Sequence, residues 1–448
     1  MNPNERVVFL LNSEKSSIFV PMKLNRHFLW ALMTVLAVHV FAQNRPMTIA
    51  EVDSMLCSSN YQLQHSRLDI EAAEGQLAQA KKYENPEIQV LHNVLNPVNR
   101  KWFDFGYDGE TDVQISQPIA IGGQHKYKVR QAEATLNATK SAYDSMRNDV
   151  RYDARTAFVN LYYVQQKLKV YDKEISSVEK ILEACREQTE KGNIPLMHSF
   201  RIAALLSQLR AEWSEMLVEE DEFQKQLRIL LWLEDENAIE ALLNEDDIVS
   251  QAINNLAKLQ PLATQSNPEL FQPIVRNHPE ILQKMYEQES AFNAINAEKA
   301  DALPHITIFG EWDKNGNIGH NFFAIGATVS LPLWNRNQGN IRSVKAQYEQ
   351  AALSKEQKEK ELHASLLALY RSTINYLKLV EEQEQNLSAD LDELLMAAER
   401  QFLIRNISVV EFVDLYSSYR DTRFQMLDSK AKLAKTNEEI SKLTGVNL

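Results

Sequence analysis

Glu411 and Asp414 are the residues of this 448-residue chain whose type and spacing come nearest to a chemistry. Three positions apart, they share one face of a helix that starts near Ser408. Carboxylates crowded together raise one another's pKa and attract cations, so copies of the chain meeting at this face would build an acidic constriction. A plainer role competes for both. Ser408-Val409-Val410-Glu411 has the spacing of a capping box, in which the glutamate satisfies a backbone N–H at the helix start. An aspartate close to that start is also favoured by the helix dipole. Met197 and His198 offer a thioether and an imidazole, a pair suited to soft metals. No second ligand pair stands at i, i+4, so a solvated helix end and no bound metal are expected. His278, His305, His320 and His363 are scattered without metal-ligand spacing.

Signatures of enzymes and of nucleic-acid binding are missing. Gly122-Gly123 is not followed by the Lys-Ser/Thr of a phosphate loop, and there is no nucleophile elbow, HExxH or CxxC. No catalytic residue and no cofactor are expected. A net charge of −13 without a basic stripe speaks against nucleic acid as a partner.

The acids follow one of two similar turns. The first reads Lys191-Gly192-Asn193-Ile194-Pro195-Leu196. Gly192 suits the end of one helix, and Pro195 suits the first turn of the next, where its missing N–H costs nothing. The second reads Ile404-Arg405-Asn406-Ile407-Ser408-Val409. It lacks the glycine, and Asn406 is expected to tolerate the left-handed geometry of the turn.

These turns belong to a longer internal repeat. Pro86, Ile88 and Val90 recur as Pro304, Ile306 and Ile308, and Gln117-Pro118 followed by Gln124 recurs as Leu331-Pro332 followed by Gln338. Each copy reads as a strand pair, a long helix, a tight turn and a returning helix, so the two copies form one object. The boundaries expected are 43–265 for the first repeat, with strands near 85–118 and a helical hairpin near 124–235, and 266–448 for the second, with strands near 303–331 and a hairpin near 338–443.

In the first long helix, read from Val129 onward, Ala132, Leu136, Tyr143, Met146, Val150, Ala154, Ala157, Leu161, Val164, Leu168, Tyr171, Ile175, Val178, Leu182 and Cys185 recur at spacings mostly of three and four residues, the period of a coiled-coil seam. A helix of about 65 residues, about 100 Å long, fits between Pro118 and Pro195. The second runs from Gln338 to about Phe402. Shorter helices are expected near Met47–Lys82, Leu196–Leu233, Pro279–Ala300 and Ser408–Leu443. Two short ones end to end match one long one, which suggests paired coiled coils. Cys185 on the seam reads as a small buried hydrophobe, and a Cys57–Cys185 disulfide is the lesser reading.

Ile88, Val90 and Val94, then Val113 and Ile115, Ile306 and Ile308, and Phe323 through Val329 alternate as in strands with one apolar face. Their lengths suit either membrane strands or a soluble sheet capping the bundle. The connections Asn96–Gly109, with four aromatic residues, and Lys314–His320 are read as exposed loops. Four strands cannot close a barrel, and open edges are not tolerated in lipid, whereas three chains would supply twelve strands. Upstream, Lys23-Leu24-Asn25-Arg26 precedes the apolar run Phe28–Phe41, which is too short to span a bilayer and ends in a small-residue cleavage pattern. Residues 1–42 are read as an upstream extension and a signal peptide, and the mature chain as exported.

Signal peptide, duplicated strand pairs, seam-bearing helices and the two hairpin turns together resemble the TolC family of outer-membrane efflux channels over nearly all of the mature chain. The second turn with Glu411-Phe412-Val413-Asp414 looks like that of members serving resistance-nodulation-division pumps. The resemblance implies a mainly α fold in which a homotrimer builds a twelve-stranded barrel in outer-membrane lipid above a periplasmic helical tunnel. Asn237–Asn277 would form an irregular belt at the tunnel's waist. The chain would passively export what an inner-membrane pump delivers through a periplasmic adaptor, a membrane fusion protein. The turns Gly192-Asn193-Ile194-Pro195 and Arg405-Asn406-Ile407-Ser408 would be the adaptor-docking tips, and Glu411 and Asp414 would line the entrance. An exported structural coiled-coil protein without channel activity is the alternative.

Overall fold

The computed structural model describes residues 45–96, 99–235, 237–263, 272–316, 319–387 and 391–445; the segment read as a signal peptide lies outside them. One compact unit takes in Pro46–Asp235 and Ile239–Leu448; a second holds, of the described residues, only Arg45, Asn237 and Ala238. The helical segment expected from Met47 begins instead as a strand, β1 (Arg45–Thr48), followed by α1 (Ile49–Ser59) and α2 (Tyr61–Ala80). Thr48 starts α1 with a capping box closed by Glu51. Asn60 breaks the segment by capping α2 through Leu63 N (3.1 Å).

Strands β2 (Glu87–His92) and β3 (Thr111–Ile119) lead into α3 (Gln124–Glu190) and α4 (Leu196–Leu231). At 67 residues, α3 is about 100 Å long. The positive φ of Gly122 lets the chain turn into it, and a Cβ there would stand 2.2 Å from Leu303 Cδ1. The segment expected to be irregular is largely ordered, because Ile239–Leu242 forms β4 on β1, and α5 (Glu245–Ala263) and α6 (Gln272–Asn277) follow. The second half continues with α7 (Pro279–Asp301), β5 (His305–Gly316), β6 (Gly319–Ser330), α8 (Gln338–Leu387), α9 (Leu391–Leu403) and α10 (Val409–Thr444).

Packing follows helix length. Against α3 lie α4 along the part near the tip and α2 beyond it. The two short helices meet where Asn60 Nδ2 donates to Leu230 O (2.9 Å) and Tyr61 packs edge-on to Trp232 at 4.3 Å. α7 and α10 each pack against both α3 and α8, and at the second tip α10 lies against α9. Val150, Ala154, Ala157, Leu161, Val164, Leu168, Tyr171, Val178, Leu182 and Cys185 are all buried, as the seam requires. Two places differ: Met146 is exposed, with Ala132 and Tyr143 only partly covered, and between Tyr171 and Val178 the buried position is Glu174, with Ile175 only partly covered. Cys57 is exposed while Cys185 packs in the core beside the tips, and both are free thiols.

Charged groups tie the two chain ends of the bundle together. Arg155 on α3 donates to Asp53 of α1 (Nε–Oδ1 3.0 Å) and to Glu438 of α10 (Nη1–Oε2 2.9 Å), and Arg151 also binds Asp53 (2.8 Å). Burial alone would raise the Asp53 pKa, but the hydrogen bonds from Arg155 and Arg151 outweigh it and hold the carboxyl below its ordinary value.

Candidate functional site

The two turns adopt one backbone motif. In the first, Gly192 N donates to Thr189 O and Asn193 N to Gln188 O, both at 2.9 Å; in the second, Arg405 N donates to Phe402 O and Asn406 N to Gln401 O, again at 2.9 Å. The side chains repeat it as well. Asn193 Nδ2 donates to Gln188 Oε1 (2.9 Å), and Asn406 Nδ2 to Gln401 Oε1 (2.7 Å). Helix ends closed in this way need a residue at positive φ. Gly192 fills that role at φ 72°, but its counterpart is Arg405 at φ 64° rather than Asn406. Asparagine is used instead for its amide, which reaches back five residues to the glutamine. Pro195 stands one place earlier than the first helical turn, as the N-cap of α4 with φ −62° and ψ 143°.

The tips lie side by side. Arg405 Nη2 donates to Gln188 Oε1 (3.0 Å), so one glutamine holds both turns. Between them runs a groove of about 340 Å³ lined by Cys185, Gln188, Ile194, His198, Phe402 and Arg405–Val409. His198 therefore turns into the groove while Met197 points outward, 60% exposed. Among the described residues no group of three or more His, Cys, Asp or Glu side chains is placed to hold a metal. A left-handed arginine is strained by about 1–2 kcal/mol. Arg405→Gly is therefore expected to gain about 0.5–1 kcal/mol after the glycine's unfolded-state entropy and the lost Gln188 contact are counted. A shifted denaturation midpoint measures it.

Glu411 does form the capping box: Ser408 N donates to Glu411 Oε2 (2.7 Å), and Glu411 N donates to Ser408 Oγ (3.2 Å). The bond from the Ser408 backbone, then that from its side chain, holds the Glu411 pKa below the ordinary value. Both Glu411 and Asp414 are exposed, whereas Val409, Phe412 and Tyr416 on the opposite side of α10 are buried. Packing within the chain thus leaves the acidic face of the first two turns of α10 uncovered.

A belt of polar groups higher in the bundle escaped the sequence reading. Glu174 is 1% exposed, and neither of its carboxyl oxygens has a hydrogen-bond partner. Burial pushes its pKa up to about 8; Arg420 works against this, and Glu212 and Asp421 add to it. Arg420 is engaged elsewhere, by Glu212 (3.0 Å), which also accepts from Tyr171 OH (3.3 Å). Tyr416 OH donates to Glu399 (2.9 Å), to which Ser177 also donates. The available signal was a glutamate in register with the seam, three residues after Tyr171 and four before Val178.

At the other end the strands form one antiparallel sheet in the order β2-β3-β5-β6. The register sorts its side chains by face. One row runs Ile88, Ile115, Gly310, Ile325 and the next Val90, Val113, Trp312, Phe323; the opposite face carries rows such as Gln89, Gln114, Glu311, Ala324. The apolar face is uncovered, with Ile88, Val90, Phe323 and Ile325 between 61% and 89% exposed. A soluble sheet capping the bundle would bury that face. Among the described residues no helix is long and apolar enough to cross a membrane. The connection read as a loop from Lys314 to His320 is mostly strand, since Asn315 pairs with His320 and Gly316 with Gly319.

Comparison with known proteins agrees with this arrangement. The cobalt-zinc-cadmium resistance protein CzcC of Cupriavidus metallidurans is 21% identical over 306 residues, 68% of each chain. A membrane protein from Pseudomonas aeruginosa superposes with a TM-score of 0.72 at 15% identity, covering 89% of this chain and 92% of that one. The CmeC outer membrane channel of Campylobacter jejuni gives 0.70 at 15% identity, with 89% and 85% covered. The fold is thus the TolC-like one of outer-membrane channels. The model of the outer membrane efflux protein family matches residues 54–219 and 270–446. The chain belongs to that family, as the outer-membrane exit channel of a tripartite efflux system, with its helical part in the periplasm.

Proposed function

We propose that three copies of the chain close one twelve-stranded barrel above a helical tunnel whose periplasmic entrance is ringed by Glu411 and Asp414. The observation that carries this reading is the sheet: β2 and β6 are its two edges, they run in opposite directions, and one face is apolar and uncovered. β6 of one copy can then meet β2 of the next as an antiparallel pair, which removes every edge. The repeats 43–265 and 266–448 are equivalent halves of each protomer, a view supported by the matching hydrogen bonds of the turns at Gly192 and Arg405. The mass of the detergent-extracted assembly tests the closure: three chains are expected, and a monomer would overturn it.

The tips formed by Gly192-Asn193-Ile194-Pro195 and Arg405-Asn406-Ile407-Ser408 dock the periplasmic adaptor, and the partner pump is of the resistance-nodulation-division type. Support for the docking lies in the exposed position of the turns and the shared groove between them. Support for the entrance lies in the solvent-facing acids. Capping explains Glu411 without any gate, so Asp414 carries the distinction. In a planar bilayer under a salt gradient, Glu411→Gln with Asp414→Asn is expected to shift the reversal potential toward weaker cation selectivity. An unchanged potential would remove the acids from the entrance and leave Glu411 as a cap.

A further inference from the structure

The helices all join the sheet at one end, where Glu87, Ile119, His305 and Ser330 lie. The loop between β2 and β3 therefore lies at the opposite end, on the outer side of the membrane. Its described residues are held by specific bonds. Leu95 and Trp102 form an isolated antiparallel bridge beyond the hairpin, Gly106 N donates to Asp104 Oδ1 (2.9 Å), and Lys314 Nζ from β5 donates to the carbonyls of Phe105 (2.8 Å) and Gly106 (2.7 Å). Phe103 is held at φ 47°, a conformation a bulky residue adopts only when its surroundings impose it.

This fixed loop leaves its largest apolar groups uncovered: Trp102 is 69%, Phe103 56% and Phe105 73% exposed. The phenylalanines also continue the apolar sheet face. His92 falls in register with Ile88 and Val90 on that face, and the Phe105 ring stacks on it at 4.2 Å, with Phe103 parallel at 6.5 Å. Arg100 and Lys101 precede Trp102 in the chain. Aromatic rings beside cations, at the end of a lipid-facing band, are the composition of a headgroup-level anchor.

We infer that the loop carrying Trp102, Phe103 and Phe105 is seated in the headgroup–acyl boundary of the outer leaflet and fixes the depth of the channel in the membrane. The inference rests on the barrel reading above. Continuity with the uncovered face, rather than exposure alone, selects lipid over a second copy of the chain as the occupant.

Tryptophan emission tests it, with the full chain reconstituted in phosphatidylcholine–phosphatidylglycerol vesicles whose acyl chains carry bromine at a shallow or a deep position. Subtracting the spectrum of Trp102→Phe isolates the Trp102 component, and Trp312→Phe likewise isolates Trp312 on the apolar face. The expected result is loss of Trp102 emission with shallow bromine, less with deep bromine, and little with aqueous iodide, while Trp312 is quenched by deep bromine. Quenching of Trp102 by iodide alone would put the loop in water, and protection from both quenchers would put it against protein; either overturns the anchor. Failure of the barrel reading looks different, because Trp312 would then escape bromine as well.

Discussion

Glu174→Gln is expected to stabilise the helical bundle at pH 9 by about 2–3 kcal/mol and to flatten its dependence on pH. The native carboxyl is buried without a hydrogen-bond partner, and its pKa is pushed up from the ordinary 4.5 to about 8. In the folded state the group holds its proton more tightly than in the unfolded chain. Its contribution is therefore fully present below the unfolded pKa and is lost as pH rises from 4.5 through about 8. At about 1.4 kcal/mol per pKa unit, the loss over that window is at most about 5 kcal/mol. Glutamine removes the charge but brings an amide that also lacks partners, a cost of about 1–3 kcal/mol that sets the smaller net gain. Denaturation midpoints at pH 5 and pH 9 measure the effect. A wild-type midpoint that rises between these values would show that Glu174 is ionised and paired in the folded state.

Arg155→Met is expected to be the most damaging of the single substitutions, at about 3–5 kcal/mol. Arg155 is the shared partner of Asp53 and Glu438, which lie on α1 and α10 near opposite ends of the chain. Glu438 is 6% exposed, so the methionine leaves a buried carboxylate without its cation. The acid-side behaviour also changes. The depressed Asp53 pKa contributes stability that is present above the ordinary carboxylate pKa and lost as pH falls through the folded value. That loss becomes smaller in the variant, where only Arg151 remains. Arg155→Met combined with Glu438→Leu should recover part of the cost, because the orphaned charge is gone. Equal destabilisation by the single and the double change would mean that packing of the arginine stem, not the ion pair, matters at this place.

The helices were legible in the sequence because their apolar periods are long, and α3 and α4 fall where the seam and the turn residues put them; the second long helix, expected to run to about Phe402, is α8 to Leu387 and α9 from Leu391. The sheet was legible as alternation. Whether its apolar face is covered depends on what packs there, which alternation does not encode; only the register and the exposure of Ile88, Phe323 and Ile325 decide it. The waist was misread as irregular because β4 is only Ile239–Leu242 and its partner β1 lies nearly 200 positions away. At the second tip, propensity pointed to Asn406 for the left-handed residue. Tertiary context placed it at Arg405, whose side chain is held by Gln188. Glu174 was passed over because a charged residue on a long helix is usually solvated, and its burial depends on α4 and α10 converging on α3. The tips and their acids were readable as residues, and the groove between the tips was not, since it is made by two segments more than 200 positions apart.

Single-channel recording of the detergent-extracted wild-type protein in a planar bilayer decides whether the assembly is a duct with an acidic entrance. Discrete, cation-selective openings are expected from an assembly that spans the membrane. Stable insertion without openings, in both the wild type and the variant carrying Glu411→Gln and Asp414→Asn, would contradict the duct.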